Sequence, residues 1–189
     1  MSHPGLTKLI ILDRDGVINE DSDAFIKSAE ECIPVPGSIA AIARLSKAGY
    51  RIVVATNQSG IARGLLDEFA LARIHQTLND LVEEAGGLIT GFFYCPHGPG
   101  DHCQCRKPLP GLLHQIAREL DVSVTHVPFV GDSLRDLQAA RSAGCQPVLV
   151  LTGKGRDTAA SGLPAALTDT PVYDDLAAFA NSILASDES

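Results

Sequence analysis

The sequence lacks the long apolar run that a membrane-spanning helix requires. No apolar stretch approaches the roughly 18 consecutive residues needed, and the first eight residues contain no apolar segment of the kind that secretory leaders carry. We therefore expect a cytoplasmic protein without a membrane partner. Positive charge is also scarce, with 15 Lys and Arg against 23 Asp and Glu and a formal net charge of −8. An acidic chain repels phosphate backbones, which argues against a nucleic-acid partner.

Repeats, low-complexity segments and linkers are also absent from the sequence. Hydrophobic residues make up 45% of the chain, which is enough for an apolar core and excludes disorder throughout. The 189 residues fit one domain, at roughly 100–200 residues per domain. We therefore expect a single domain over residues 1–189 that acts as a monomer. Because no export is expected, the five cysteines are expected to be thiols or metal ligands rather than disulfides.

Five short apolar runs are typical of strands buried on both faces, because apolar and polar residues do not alternate in them. They cover residues 9–12, 52–55, 89–94, 127–130 and 148–151. Apolar residues at helical spacing lie between and after these runs, at residues 38–48, 67–85, 111–120, 134–143 and 174–184. This alternation predicts an α/β fold with a doubly wound, Rossmann-like parallel sheet and helices on both faces. Residues 153–171 are small and polar, and no element is predicted there.

Polar side chains able to do chemistry follow the predicted strands. They are Asp13 and Asp15 after the first strand, Thr56 after the second, Asp132 and Asp136 after the fourth, and Lys107 before the third helix. In an open parallel sheet, the loops after the strands meet at one edge, where ligands bind. We therefore expect these side chains to lie close together although they are far apart in the sequence.

Three carboxylates at one place would repel each other and raise one another's pKa values. A hard divalent cation removes this repulsion, and Mg²⁺ suits a few carboxylates together with phosphate oxygens. Lys107 and the hydroxyl of Thr56 would then bind phosphate oxygens. One carboxylate can form an aspartyl phosphate, and a second can protonate the leaving oxygen and then deprotonate water. An Asp-x-Asp pair alone is common on solvated loops, but four such elements at strand ends indicate phosphoryl transfer.

The sequence resembles the haloacid dehalogenase superfamily of phosphatases. The motifs that carry the resemblance are Asp13-x-Asp15-Gly, Thr56-Asn, Lys107 and Gly-Asp132-Ser-x-x-Asp136. The resemblance implies Asp13 as the nucleophile and Asp15 as the general acid and base. It implies Thr56 and Lys107 as stabilisers of the transferring phosphoryl group.

The same resemblance implies the ligands of the magnesium ion. Asp13, the backbone carbonyl of Asp15 and Asp132 would hold Mg²⁺, with Asp136 in a supporting position. The chain leaves no room for the large cap domain that many members of the superfamily carry. The expected fold is therefore a haloacid dehalogenase-like core without a large cap.

The loop at residues 95–105 is rich in proline and glycine and poor in apolar residues, so metal binding would supply its order. Its candidate ligands have the spacing C-x-H-x5-C-x-C and are Cys95, His97, Cys103 and Cys105. Four ligands are the number that a closed, tetrahedral Zn²⁺ site takes. His102 is a competing ligand, and free thiols are the alternative to a metal. A bound zinc ion would hold Arg106 and Lys107, which directly follow the loop.

Within the superfamily, the Cys-Pro-His and Cys-x-Cys-Arg-Lys-Pro segments resemble a small, cap-less, zinc-containing branch. The resemblance implies hydrolysis of a phosphorylated sugar, namely the 7-phosphate of a heptose 1,7-bisphosphate, in the synthesis of activated heptose for lipopolysaccharide. Histidinol phosphate is the alternative substrate, although the unfused chain favours the heptose. The implied substrate-binding residues are Asn19, Asp21, Asn57, Gln58, Ser59 and Arg106. In heptose enzymes a Gly-Tyr pair often stands two residues after the aspartate that corresponds to Asp21, and here that pair is replaced by Asp23-Ala24.

Two other classes of protein are alternatives to an enzyme. A signalling receiver module places its phosphorylated Asp after a middle strand, whereas the paired carboxylates here follow the first strand. A zinc-stapled interaction protein would not need the complete set of phosphoryl-transfer residues. Both comparisons favour the phosphatase.

Overall fold

A parallel sheet of six strands organises residues 8–187, the part of the chain that the computed structural model describes. The strands are β1 (Leu9–Leu12), β2 (Arg51–Asn57), β3 (Gly91–Cys95), β4 (Pro128–Gly131), β5 (Gln146–Val150) and β6 (Val172–Tyr173). The helices are α1 (Ser38–Lys47), α2 (Glu68–Glu84), α3 (Gly111–Glu119), α4 (Leu134–Ser142), α5 (Gly155–Ala160) and α6 (Leu176–Asp187), with a 3-10 helix at Ala165–Leu167. The strand order is β3-β2-β1-β4-β5-β6, and every neighbouring pair is parallel.

Strand β1 is buried on both faces, and its residues alternate between two apolar clusters. Ile10 and Leu12 pack in the cluster that contains apolar residues of α1, α2 and α6. Leu9 and Ile11 pack in the other cluster, together with apolar residues of α3 and α4. Helices therefore cover both faces of the sheet, which confirms the predicted doubly wound α/β fold. Each such buried aliphatic side chain contributes roughly 1.5–3 kcal/mol.

The strand order places a crevice at the carboxyl end of β1. The chain builds the sheet from β1 outward through β2 to β3, and then returns to the other side of β1 with β4. Loops after β1 and β4 therefore leave the sheet in different directions, and such a switch point is where open α/β sheets bind ligands. The segments that follow β1, β2 and β4 all carry chemistry-bearing residues.

The predicted elements match the observed ones to within three residues at each end. The prediction missed α5, the 3-10 helix and β6, all of which begin between residues 153 and 172. Helix α5 spans six residues, too few for an apolar period to show, and β6 is a two-residue strand at the edge of the sheet. These elements depend on contacts with the rest of the fold, such as the packing of Leu167 beside Leu137 and Leu149.

The connection from β1 to α1, residues 13–37, contains no helix or sheet strand and makes only isolated bridges, at Asn19 with Asp15 and Pro34. No further folded unit is inserted between the elements of residues 8–187, so the predicted core without a large cap is confirmed. The cavity above β1 is therefore shaped by loops. Within the same residues, no helix combines the length and the apolar character needed to cross a bilayer.

Candidate active site

A polar cavity of about 260 Å³ lies at the carboxyl ends of β1, β2 and β4. The structure brings nearly all of the predicted phosphoryl-transfer and substrate residues to its wall, namely Asp13, Asp15, Asp21, Thr56, Asn57, Gln58, Ser59, Arg106, Lys107, Asp132 and Asp136. Asn19 is the exception. It is fully buried behind Asp15, and its side-chain amide donates hydrogen bonds to Asp15 and to the backbone oxygen of Glu20.

Lys107 is buried at the base of the cavity between two carboxylates. Its Nζ donates to Asp13 Oδ1 at 2.9 Å, to Asp136 Oδ1 at 2.6 Å and to the backbone oxygen of Ala55 at 2.9 Å. Burial favours the neutral amine, but the two carboxylates outweigh it and raise the pKa of Lys107 above its usual value. Lys107 is therefore a fixed cation at the point where Asp13 faces the cavity.

Asp136 serves as the permanent anion that holds Lys107. Its other oxygen, Oδ2, accepts hydrogen bonds from the backbone N–H of Ser133 at 3.1 Å and from the Ser133 hydroxyl at 2.8 Å, which caps α4. Although burial opposes ionisation, Lys107 and these donors lower the pKa of Asp136. Asp136 is thus occupied by Lys107 and by the helix cap, in keeping with a supporting position.

The backbone of Lys107 is clamped by a side chain from β2. Asn57 Nδ2 donates to the Lys107 carbonyl at 3.1 Å, and Asn57 Oδ1 accepts from the Lys107 N–H at 3.0 Å. Beside it, Gln58 Nε2 donates to Thr56 Oγ1 at 2.9 Å and to Asp15 Oδ2 at 3.0 Å. Asn57 and Gln58 at the end of β2 therefore fix the positions of Lys107, Thr56 and Asp15 relative to each other.

Asp15 is surrounded by donors. Burial would raise its pKa, but the charge of Arg14 and hydrogen bonds from Asn19, Arg14 and Gln58 lower it. In the absence of substrate, Asp15 is therefore a carboxylate. Arg14 is itself fully buried and forms an ion pair with Asp15 at 2.8 Å.

Asp13, Asp132 and Asp136 place carboxylate oxygens within 4.8 Å of one another. Burial and the charge of Asp136 raise the pKa of Asp13 and raise that of Asp132 to about 7. These carboxylates carry more negative charge than Lys107 alone can balance, so the donor set fits a divalent cation with oxygen ligands.

Gly16 is required for Asp132 to reach this position. Its φ of +84° lies in the left-handed region, and a Cβ there would stand 2.0 Å from Asp132 Oδ2. The same Oδ2 accepts the backbone N–H of Lys154 at 2.8 Å. The Gly that follows the Asp-x-Asp pair is therefore fixed by both the turn and the close approach of Asp132.

The four candidate zinc ligands converge at the end of β3. The Sγ atom of Cys95 lies 3.1 Å from that of Cys105 and 3.6 Å from that of Cys103, and His97 Nδ1 lies 3.3 Å from Cys105 Sγ and 3.5 Å from Cys95 Sγ. Sulfur atoms around a tetrahedral zinc with Zn–S bonds of about 2.3 Å would be separated by about 3.8 Å. The four atoms therefore fit one zinc ion, and His102 is not among the converging ligands.

The thiols of this cluster differ in their pKa values. Burial and the neighbouring thiol of Cys105 raise the pKa of Cys95 to about 12. For Cys103, burial also acts against ionisation, but the backbone N–H of Arg106 and the other thiols lower its pKa to about 7. A bound metal ion would remove the protons from these crowded thiols, because metal ions bind sulfur in its deprotonated form.

The zinc loop leads directly into the cavity. Arg106 Nη1 donates to the backbone oxygen of His97 at 3.2 Å, and Gly111 donates back to the backbone oxygen of Gln104. The position of Arg106 at the cavity wall is thus tied to the loop by this backbone contact, and the predicted part of zinc in holding it stays a prediction.

Four cationic residues near the cavity were missed by sequence reasoning: Arg14, Arg63, Arg135 and Lys154. Their positions in the sequence could have indicated three of them, because cavity residues follow the strands. Arg63 follows β2, Arg135 lies in the first turn of α4, and Lys154 follows β5. Lys154 pairs with Asp21 at 3.3 Å across the cavity mouth. Among residues 8–187, no carboxylate lies within ion-pair distance of Arg63, Arg106 or Arg135.

Comparison with known proteins agrees with this geometry. A sequence profile described as HAD-hydrolase-like matches residues 104–179. A D-glycero-beta-D-manno-heptose-1,7-bisphosphate 7-phosphatase of Bordetella bronchiseptica is 57% identical over 94% of this chain and 98% of its own length. One from Pseudomonas aeruginosa is 56% identical over 93% of this chain and 97% of its own. The crystal structure of the Bordetella bronchiseptica enzyme, complexed with magnesium and phosphate, covers 94% of this chain and 98% of that one with a TM-score of 0.90 and 56% identity.

The fold and the cavity define a hydrolase of the haloacid dehalogenase-like class. Within this class, the chain has a cavity shaped by loops and a cluster of three cysteines and one histidine beside it. Given identities of 56–57% over nearly the whole length of both chains, this chain belongs to the family of D-glycero-beta-D-manno-heptose-1,7-bisphosphate 7-phosphatases.

The raised pKa values of Asp13 and Asp132 predict how Mg²⁺ stabilises the fold. A carboxyl group whose pKa is higher in the folded protein contributes stability below its unfolded pKa, near 4, and this is lost as pH rises through the folded value, about 7 for Asp132. Because Mg²⁺ replaces those protons, it should raise the Tm more at pH 8 than at pH 5. Thermal melts with and without Mg²⁺ check this, and equal shifts at both pH values would contradict it. Asp132→Asn is the control and should reduce the shift at pH 8.

Proposed function

We propose that this protein hydrolyses the 7-phosphate of D-glycero-β-D-manno-heptose 1,7-bisphosphate through an aspartyl phosphate, in the synthesis of activated heptose for lipopolysaccharide. The observation that carries the proposal is the buried contact of Lys107 with Asp13 at the floor of a cavity that Asp15 and Asp132 also line. The names of the similar enzymes supply the substrate.

The reaction has two displacements at phosphorus. In the first, an oxygen of Asp13 bonds to phosphorus, the bond to the sugar oxygen breaks, and that oxygen takes a proton from Asp15. In the second, a water oxygen bonds to phosphorus, the bond to Asp13 breaks, and the proton of the water passes to Asp15. A bound phosphate adds a like charge beside Asp15 and so raises its pKa, which lets Asp15 take up the proton needed for the first step.

The groups around Asp13 stabilise the charge of the transferring phosphoryl group. Lys107 is already fixed as a cation, and Thr56 presents a hydroxyl that Gln58 orients. A magnesium ion held by Asp13, the backbone carbonyl of Asp15 and Asp132 would neutralise further charge on the phosphate oxygens.

The second phosphate of the substrate explains the arginines of the cavity wall. Arg106, Arg63 and Arg135 line the cavity, and burial together with the charges of Arg135 and Arg63 lowers the pKa of Arg106. Three guanidinium groups that repel each other form a favourable place for a dianion, because guanidinium groups bind phosphate oxygens bidentately. Asp21 and Ser59 line the same cavity and remain candidates for the sugar hydroxyls.

We further propose that one zinc ion staples residues 95–105 and holds Arg106 and Lys107 in place. We also propose that the chain acts as one domain and as a monomer, because the proposed reaction needs no residue from a second copy. A reducing compartment such as the cytoplasm suits the five free cysteines, three of which form the proposed zinc site together with His97.

Replacing the nucleophile tests the covalent mechanism. Asp13→Asn should abolish turnover, because an amide cannot form the acyl phosphate. Asp15→Asn should slow both displacements by about 10²–10⁴-fold. Steady-state phosphate release measures both effects, and more than a few per cent of wild-type activity in Asp13→Asn would rule out this mechanism.

Zinc removal tests the role of the loop. Purified protein should contain about one zinc per chain by elemental analysis. Chelation should disorder residues 95–107 and lower activity by displacing Arg106 and Lys107. A Cys103→Ser variant should lose zinc in the same way, whereas Cys145→Ser, outside the cluster, should keep it. A zinc-free sample with full activity and an unchanged loop would refute the proposed staple.

The choice of substrate is tested with three phosphate esters side by side. The heptose 1,7-bisphosphate should have a higher kcat/KM than the heptose 7-phosphate or histidinol phosphate, because the second phosphate supplies binding energy that orients the first. Arg106→Ala should lower kcat/KM for the bisphosphate. The expected loss of transition-state stabilisation is roughly 1.5–3 kcal/mol, the scale of a charged hydrogen bond. The substitution should also narrow the preference over the monophosphate. Equal kcat/KM for histidinol phosphate and the bisphosphate would count against the heptose as substrate, while leaving the phosphatase chemistry in place.

A further inference from the structure

The residue between the two catalytic carboxylates, Arg14, is fully buried although it carries a full charge. Its Nε and Nη2 donate to the same oxygen of Asp15, Oδ1, at 3.0 Å and 2.8 Å. Its Nη1 lies 3.3 Å from Nε2 of His75 on α2. A buried guanidinium is costly unless its donors are satisfied, so these contacts fix its direction.

His75 is the acceptor that completes this arrangement. A guanidinium has donors only, so Nε2 of His75 must accept and the ring hydrogen must sit on Nδ1. Burial and the charge of Arg14 lower the pKa of His75 to about 3, which keeps the ring neutral. The ring is held by stacking on Phe92, with centroids 4.3 Å apart and planes 11° from parallel.

The two oxygens of Asp15 are consequently not equivalent. Oδ1 accepts three N–H groups, two from Arg14 and one from Asn19 at 2.9 Å. Oδ2 accepts only Gln58 Nε2, at 3.0 Å. Three donors leave no lone pair on Oδ1 for a proton, whereas Oδ2 retains that capacity. The orientation of the carboxylate therefore decides which oxygen can serve as acid and base.

We propose that Arg14, backed by His75, is a positioning residue that occupies Oδ1 of Asp15 and so reserves Oδ2 for the proton exchanged with the leaving oxygen and with water. The inference rests on the proposed function, in which Asp15 is the general acid and base. It assigns a catalytic consequence to His75, which lies on the far side of Arg14 from Asp15 and does not line the active-site cavity.

A merely structural role for Arg14 gives a different expectation. If Arg14 only satisfied buried polar groups, its replacement would slow all substrates alike. If it positions the proton-carrying oxygen, the loss should depend on the leaving group, because a poor leaving group needs its proton and a good one does not. The parameter kcat/KM isolates this difference, since it reports the steps through release of the leaving group.

The experiment compares the heptose 1,7-bisphosphate with p-nitrophenyl phosphate, whose phenolate leaves without a proton. The variants are Arg14→Lys, which keeps the charge but not the bidentate geometry, and His75→Leu, which removes the acceptor. Gln76→Leu is the matched control, because Gln76 follows His75 on α2, and the side-chain hydrogen bond that it makes within residues 8–187 goes to Asp80 and not to Arg14.

For Arg14→Lys we expect kcat/KM to fall about 10–100-fold with the sugar phosphate, a fraction of the usual effect of a general acid, and less than about 3-fold with p-nitrophenyl phosphate. His75→Leu should show the same selectivity with a smaller loss, and Gln76→Leu should match the wild type. Equal losses for both substrates, or no loss in either variant, would overturn the proposal. Should Arg14→Lys fail to fold, His75→Leu decides alone.

Failure of the proposed function would be visible separately, in the wild type. It would appear as no turnover of the heptose bisphosphate beside turnover of p-nitrophenyl phosphate. Histidinol phosphate, whose leaving group is also an alkoxide, would then serve as the poor-leaving-group substrate in the same comparison.

Discussion

The buried contact of Lys107 with Asp13 and Asp136 is the interaction on which the site depends. A lysine with 3% exposure is tolerated because two carboxylates and a backbone carbonyl satisfy its three donors. Removing one partner of such a pair costs about 3–5 kcal/mol, since the other charge is left buried and uncompensated. The contact ties the loop before α3 to the end of β1 and to the first turn of α4. The same lysine lines the cavity in which we propose that the phosphoryl group binds.

The surrounding structure keeps this triad in place from three directions. The cap of α4 fixes Asp136 through Ser133, Asn57 clamps the backbone of Lys107, and the proposed zinc site anchors the loop that ends at Lys107. The cap and the clamp use backbone or neutral groups, so the charge at the floor of the cavity is set by Lys107 and by the carboxylates around it, Asp13, Asp132 and Asp136. Placement of charge in advance of the reaction is the usual source of phosphoryl-transfer catalysis.

The central strands, the main helices and the cavity wall were predictable because each leaves a local trace. A strand buried on both faces shows as a continuous apolar run, and a site at a sheet edge shows as polar residues just after such runs. The role of Arg14 left no such trace, because its direction depends on His75, 61 residues away. Asn19 shows the same limit, since the family resemblance implied a substrate contact, whereas in the structure its side chain is buried and donates to Asp15. Strand β6 and helix α5 are too short for a period to appear.

The connection between β1 and α1 contains no folded unit, which leaves the cavity open to bulk solvent. Water can therefore reach Asp13 without any domain moving aside, so the proposed hydrolysis of an aspartyl phosphate would not need the opening and closing of a cap domain. An open mouth is also bathed in salt. The attraction between the arginines of the cavity wall and an approaching phosphate is screened over roughly 8 Å at physiological ionic strength. The preference of the enzyme among phosphorylated metabolites in the cell would therefore depend on the ionic strength around it.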